Sequence, residues 1–191
     1  MARERLVAAA TELFATSGFG GTTTATIASA AGVSEGTLFH HFPTKRALLA
    51  EVGVREGDRV LGVAFAGLDP AAPPPDPETL IRALFHYAQQ APDAYRVFAM
   101  DGDQEDLEAG FAAKRERVTQ GLAALLAGWS ARGHLRRMDP EIVATLIFAI
   151  VDTAVRRLVL EDRWAEEDAW LREVVGAVRA LLGARQAGAD A

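Results

Sequence analysis

The chain has 191 residues, half of them hydrophobic, which is enough for one or two domains with a substantial core. The absence of cysteine excludes disulfides, thiolate metal ligands and a thiol nucleophile. The net charge is −6. The first 50 residues contain four Arg and Lys and three Glu, so their charge is +1 and that of the remaining residues is −7. This asymmetry is a weak sign that the N-terminal part contacts nucleic acid. No apolar run approaches the ~20 residues of a membrane span, and no signal-peptide pattern opens the chain, so we expect a cytoplasmic protein.

The composition predicts an all-α fold. Ala, Leu, Arg and Glu dominate, and the alternating Val, Ile and Thr runs of strands are absent. Each N-terminal segment that follows a Ser or Thr ends at a Gly or before a Pro, which matches the chemistry of helix caps. The predicted N-terminal helices cover residues 3–17, 25–31, the stretch from the Ser34 cap to before Pro43, and the stretch from the Thr44 cap into the low sixties.

A proline-rich stretch separates these helices from the rest of the chain. Five of the eight prolines lie between Asp69 and Pro77, where we expect a stiff surface loop because proline lacks a backbone N–H. A proline-rich ligand for another protein is the alternative. Pro77 and Pro140 fit first helical turns, and the predicted helices beyond the loop cover residues 77–90, 93–100, 105–130, 140–160 and 164–184.

Residues 22–48 predict two short helices that cross at a tight turn containing Gly32. A miniature core is predicted for Ile27, Ala30, Val33, Leu38 and Phe42. A second helix with small and polar residues at its start suits the major groove of DNA, which is ~12 Å wide. Its outer face presents Glu35, Gly36, Thr37, Phe39, His40 and His41.

This region resembles the tetracycline-repressor (TetR) family of bacterial regulators over roughly residues 5–50. The resemblance rests on three linked segments: Leu13-Phe14-Ala15 with Gly18-Phe19; Thr22-Thr23 with Ile27-Ala28 and Ala31-Gly32-Val33-Ser34; and Gly36-Thr37-Leu38-Phe39-His40-His41-Phe42 followed by Lys45 and Leu48-Leu49. It implies an N-terminal three-helix DNA-binding domain with a helix-turn-helix over residues 1–48. A C-terminal helical domain for effector binding and dimerisation is implied over residues 49–191.

The resemblance also implies roles for single residues at the DNA. Base edges are expected near Glu35, Gly36, Thr37, Phe39 and His40, and phosphates near Thr24, His41 and Lys45. Phe39 stands where the family commonly has Tyr, and Ala25 stands where many members place a polar or basic residue. Three alternatives remain open: a solvated His40, a Phe39 that packs in the core, and a Glu35 that is favoured by the helix macrodipole alone.

The last two predicted helices carry the dimerisation prediction. Helix 140–160 is apolar on nearly every side, and helix 164–184 carries one apolar stripe. A subunit of this size has too few other apolar residues to bury both helices. We therefore expect a four-helix bundle across a twofold axis, as the resemblance also implies, with an ordinary monomer core as the alternative.

The effector pocket is poorly specified by the sequence. Candidate lining residues are side chains of the central helices, each with core packing as the alternative: Phe85, His86, Tyr87, Phe98, Met100, Phe111, Trp129, Phe148 and Asp152. Metal-ligand spacing is missing around His86 and His134, and the acidic residues between 101 and 106 lack the full calcium-loop pattern. We therefore predict neither a metal nor a cofactor.

These patterns together predict a dimeric transcriptional regulator that is not an enzyme. The chain has no P-loop, dinucleotide-binding fingerprint, HExxH or Gly-x-Ser-x-Gly motif. We expect a repressor that a small-molecule ligand releases from a pseudo-palindromic operator. Helix 44–64 is expected to link the effector pocket to the DNA-binding domain of residues 1–48, which we call the reading head. The alternative is a helical protein-interaction module without DNA binding.

Overall fold

Every regular element that the computed structural model describes is helical, as the composition predicts. The structure describes residues 1–97 and 104–183. The helices are α1 (Ala2–Gly21), α2 (Thr24–Ala30), α3 (Glu35–His41), α4 (Lys45–Phe65), α5 (Pro77–Gln90), α6 (Asp93–Arg96), α7 (Gln104–Ala131), α8 (Pro140–Leu160) and α9 (Glu167–Leu182). None of the helices in these described ranges has an apolar stretch long enough to span a bilayer.

Three helix ends differ from the sequence-based prediction. In α1 the helix is interrupted at Gly18, whose φ of +70° is favourable for glycine, and one further turn continues to Gly21. The predicted helix 93–100 is helical to Arg96, and its last three residues lie outside the described part of the chain. The predicted helix 164–184 begins as a 3₁₀ turn over Trp164–Glu166 before α9.

The described chain forms two compact units. Unit 1 contains Met1–Arg59 and Gln90–Arg117, and unit 2 contains Val60–Gln89 and the described residues from Val118 on. This grouping rests on contacts between residues. The functional boundary predicted between residues 48 and 49 remains a prediction.

The core of unit 1 joins the first four helices. Phe14 of α1, Ile27 of α2, Leu38 of α3 and Leu48 of α4 are completely buried in one hydrophobic cluster. Because α2 and α3 have only seven residues each, they depend on this shared core for their stability.

Two glycines bring the backbones of α4 and α7 together inside unit 1. A Cβ atom on Gly53 would overlap the carbonyl oxygen of Gly110, and one on Gly57 would lie 2.8 Å from the Cβ of Arg117. Lys114 is buried at this crossing, with its Nζ 4.1 Å from the ring centroid of Tyr95. The contact therefore requires glycine at position 53.

Unit 2 is built around α8, which packs against α9. Asp139 caps α8 by accepting from the backbone N–H groups of Glu141 and Ile142 at 3.0 and 3.1 Å, and Pro140 occupies the first turn as predicted. At the same end of the pair, Gly183 ends α9 with a φ of +68° and lies against the side chain of Arg136.

Candidate nucleic-acid interface and apolar cavity

The turn between α2 and α3 is set by Gly32, which has a φ of +63°. This left-handed conformation lets the Val33 N–H reach the Ala28 carbonyl at 3.0 Å. The predicted miniature core is confirmed for Ile27 and Leu38, which are completely buried. It is wrong for Ala30, which is exposed.

Hydroxyl caps fix where the next three helices begin. The Thr23, Ser34 and Thr44 hydroxyls accept hydrogen bonds from the backbone N–H groups three residues later, at 3.1, 3.1 and 3.0 Å. The neighbouring Thr22 is buried instead, and its Oγ1 donates to the carbonyl of Gly18 at 2.7 Å. These local bonds define the direction in which α3 leaves the turn.

The outer face of α3 is largely exposed. Glu35, Gly36 and His40 are exposed, and Thr37 and His41 are half-buried. Phe39 is 46% exposed, so its alternative assignment to the core is wrong. A helix face of this kind presents polar and aromatic side chains to a groove without disturbing Leu38 beneath it.

Two of the predicted DNA contacts are bonded to each other. The Thr24 hydroxyl of α2 donates to the Glu35 carboxylate at the start of α3, with an Oγ1–Oε1 distance of 2.5 Å. This bond crosses the turn and orients the carboxylate on the exposed side of both helices. Thr24 therefore holds Glu35 in place, an arrangement that the separate roles expected from the resemblance did not include.

Lys45 is held against the end of α1. Its Nζ donates to the carbonyl oxygens of Phe19 at 2.7 Å and Thr22 at 2.9 Å, and it lies 4.1 Å from the centroid of the Phe19 ring. Two of the three ammonium donors are thus used within the protein, and one is left for a phosphate. The lysine links the first turn of α4 to the segment that precedes α2.

An ion-pair cluster joins α1 to α4. The Arg3 guanidinium donates to Glu51 at 2.7 Å, and Arg55 donates to the same oxygen at 3.2 Å. Partial burial raises the pKa of Glu51, but the hydrogen bonds from Arg3 and Arg55 outweigh it, and the net pKa is lowered. Arg3 also lies over the ring of Phe42, 5.2 Å from its centroid.

The structure distributes the predicted effector residues over separate places. In unit 2, Phe85 is completely buried, Phe148 is 8% exposed and Asp152 is half-buried, whereas His86 is exposed in a surface groove. Phe111 packs against the core of unit 1. Phe98 and Met100 lie outside the described residues.

An apolar cavity lies elsewhere in unit 2. Its volume is about 60 Å³. Of the predicted effector residues that the structure describes, Trp129 lines it and the others do not. The lining is contributed by the end of α4, the proline-rich segment, α5, α7, α8 and α9, and it consists of Phe65, Pro74, Pro75, Pro77, Leu80, Ile81, Leu84, Leu122, Leu126, Trp129, Ile147, Val151, Val178 and Leu182. Helical spacing on α5 was the available sequence signal, because Pro77, Leu80, Ile81 and Leu84 share one face.

The proline-rich segment, residues 69–77, is fastened beside this cavity by side chains of unit 2. Trp129 Nε1 donates to the carbonyl of Asp69 at 3.4 Å, and a ring nitrogen of His134 lies 3.2 Å from the carbonyl of Ala71. Asp76 accepts both from Arg179 at 2.8 Å and from the backbone N–H of Glu78 at 2.8 Å. The backbone bond and the guanidinium lower the pKa of Asp76.

Asp76 has two functions at once, because it caps α5 and ties the proline-rich segment to α9.

Across residues 1–97 and 104–183 no three His, Asp or Glu side chains are placed to bind a metal ion. The acidic residues between 101 and 106 that the sequence singled out are not among the side chains that the structure describes.

Comparison with known proteins identifies a family match for the N-terminal helices and a relative over about three quarters of the chain. Residues 6–52 match the family of bacterial regulatory proteins called the tetR family. The chain is 30% identical over 154 residues to the HTH-type transcriptional regulator RutR of Escherichia coli K12, an alignment that covers 77% of this chain and 70% of RutR.

Solved structures share the fold over nearly the full length. Salmonella enterica GusR superposes with a TM-score of 0.70 at 22% identity and covers 95% of both chains. FadR of Bacillus subtilis, solved in complex with stearoyl-CoA, superposes with a TM-score of 0.64 at 18% identity, covering 90% of this chain and 97% of FadR.

Proposed function

Because this chain belongs to the TetR family and is a DNA-binding transcriptional regulator rather than an enzyme, we propose that it acts as a dimeric repressor. In this proposal, two copies bind a pseudo-palindromic operator in the cytoplasm, and a small-molecule effector releases them. Ligand-responsive repression is typical of the family. The exposed outer face of α3 above a fully buried Leu38 is the observation that supports DNA reading most directly.

The reading head is proposed to divide its contacts between bases and phosphates. We assign base contacts to Glu35, Gly36, Thr37, Phe39 and His40 on α3, and phosphate contacts to Thr24, His41 and Lys45. Contacts to base edges determine sequence preference, and contacts to phosphates determine affinity and its dependence on salt. The Thr24–Glu35 bond places an acceptor on α3, which favours a cytosine N4 amine as its target.

Dimerisation through α8 and α9 is supported by the apolar residues that one copy leaves uncovered. Ile142 is 60% exposed and Leu146 is 44% exposed, one turn apart on α8. On the outer side of α9, Gly176 has no atom near its missing Cβ, and Ala180 is exposed. Large side chains of one copy would fit above small residues of the other.

Effector release is proposed to act through α4. This helix begins at Lys45, bonded to the reading head, and ends at Phe65, which lines the apolar cavity. A ligand that shifts the end of α4 alters the spacing of the two heads from the ~34–36 Å of one DNA turn. A coupling of about 1–3 kcal/mol between ligand and operator would be ordinary for such a device.

Selection of bound sequences from a random duplex library tests the proposal. We expect enrichment of a pseudo-palindrome with half-sites about one helical turn apart. Leu146→Asp should abolish dimers in sedimentation and remove the second half-site, whereas Val63→Asp, at a 39% exposed valine of α4, should leave both unchanged. A failure to enrich any sequence, at low as well as moderate salt, would contradict operator binding.

A further inference from the structure

We propose that the apolar cavity of unit 2 binds the alkyl end of an amphipathic anion, a medium-chain carboxylate, whose charged head is held by Arg136. The role of this ligand as the effector rests on the proposed repressor function. The binding site itself is argued from the cavity lining, from the proline-rich segment beside it, and from the arginine at the end of α9.

The cavity lining selects for hydrocarbon. Its fourteen side chains include no charged residue, and the one polar group among them, the indole N–H of Trp129, is bonded to the Asp69 carbonyl. Apolar cavities of this kind stay free of water and take up apolar molecules. A volume of about 60 Å³ is less than half that of an apolar cavity that holds benzene, ~150 Å³, so the cavity suits the end of a narrow chain better than a ring system.

The proline-rich segment provides the route into the cavity. Pro74, Pro75 and Pro77 line the cavity, so this segment forms part of its wall. The segment is fastened by side-chain bonds at largely exposed positions, among them the Arg179–Asp76 pair, whose side chains are 36% and 53% exposed. Exposed ion pairs contribute little to stability, so the segment can part from α9 at small cost while its prolines keep it stiff.

Arg136 supplies the positive charge at this end of the unit. Its guanidinium donates to the Leu181 carbonyl at 3.1 and 2.8 Å, beside the lining residue Leu182, and its aliphatic part packs against Gly183. Within the described chain no carboxylate pairs with Arg136, whereas Arg179 is already compensated by Asp76. Arg136 does not itself line the cavity, but it bonds the residue next to a lining leucine and keeps spare donors, which fits a carboxylate head held just outside the cavity.

Trp129 offers a direct readout because it lines the cavity. In a Trp164→Phe, Trp170→Phe background of the full chain, Trp129 is the remaining tryptophan, and its emission is followed during titration with hexanoate, octanoate, decanoate and decanol. Each buried methylene should raise affinity about fourfold, so decanoate is expected to bind at least tenfold more tightly than hexanoate. Decanol, without the charge, should bind at least fivefold more weakly than decanoate.

Paired variants test the tail and the head of the ligand separately. Ile147→Phe fills the cavity and should weaken decanoate binding more than tenfold, whereas Ile150→Phe, on the same helix outside the lining, should not. Arg136→Gln should reduce decanoate to the affinity of decanol, and Arg137→Gln should change neither. Circular dichroism establishes that each variant folds, and Val178→Phe, which fills the cavity from α9, replaces Ile147→Phe if that variant unfolds.

The outcomes separate this proposal from the repressor proposal. Equal affinity for hexanoate and decanoate, or unchanged decanoate binding in a folded cavity-filling variant, overturns the cavity site and leaves operator binding intact. Decanoate binding that does not weaken operator binding supports the site and overturns its role as the effector site. Length-dependent binding that also releases the operator supports both.

Discussion

Replacing Lys45 with alanine tests whether this lysine stabilises the reading head. The substitution removes two charge-assisted hydrogen bonds, from Nζ to the carbonyls of Phe19 and Thr22, and the contact with the Phe19 ring. Hydrogen bonds to charged groups contribute about 1.5–3 kcal/mol each, and an exposed cation–π contact contributes ~0.5–1 kcal/mol. Lys45 is half-buried and water replaces part of these interactions, so we expect a net loss of about 2 kcal/mol in the free energy of unfolding.

Urea denaturation at fixed protein concentration measures this loss. With a denaturant slope of about 2 kcal/mol per molar, the midpoint should fall by about 1 M. Arg46→Ala removes the same charge from the next, exposed residue and serves as the control. A loss below about 0.5 kcal/mol for Lys45→Ala would refute the anchoring role.

The same variant tests the phosphate contact that the sequence predicts. Each lost phosphate contact reduces the slope of log affinity against log salt by about 0.9, so a dimer that loses two contacts should change by about 1.8. An unchanged slope in a variant that is clearly destabilised would show that Lys45 anchors the head and does not hold DNA.

Three further predictions concern other positions. Gly53→Ala should destabilise the protein by about 3 kcal/mol because the added methyl group overlaps the α7 backbone. Gly62→Ala, in open space on the same helix, should stabilise it by about 0.5–1 kcal/mol. Thermal unfolding measures both changes. Glu35→Gln should raise non-specific DNA affinity severalfold by removing a negative charge and relax preference at one base pair per half-site, and an identical selected motif would contradict its base contact. Glu51 has a lowered pKa in the folded protein, so its stabilisation is present above the ordinary glutamate pKa of about 4.3 and is lost as the pH falls below it. Glu51→Gln should therefore cost about 0.5–1 kcal/mol at pH 7 and almost nothing at pH 3, and an equal cost at both would refute the ion-pair role.

The reading head was predictable from sequence because its signals are local. A Ser or Thr hydroxyl that caps a helix accepts from the backbone N–H only three residues later. A glycine at a tight turn lies directly between its two helices. Both signals fit within a window of a few residues. Ser34 and Gly32 are of this kind, and both behave as predicted. The predicted end of the first helix at residue 17 is only partly right, because Gly18 has non-helical φ and ψ but a further turn continues to Gly21.

The contacts of Lys45 and the cavity were not predictable in this way. Lys45 bonds a carbonyl 26 positions earlier, a distance over which no sequence pattern specifies a partner. The cavity draws its walls from six separate parts of the chain, and its position depends on where those helices leave a gap. Aromatic size suggested Phe85 and Phe111, but large side chains fill cores, and both do so here.

The way α3 is built also bears on how the preferred operator can change during evolution. Leu38 anchors this seven-residue helix, whereas the side chains of Glu35, Phe39 and His40 project outward without core contacts. If the proposed base contacts hold, substitutions at these outward positions alter the preferred DNA sequence while leaving the free energy of folding nearly unchanged. Relatives with the same fold can therefore drift to new binding sequences by a few exposed substitutions, without any compensating change in the core.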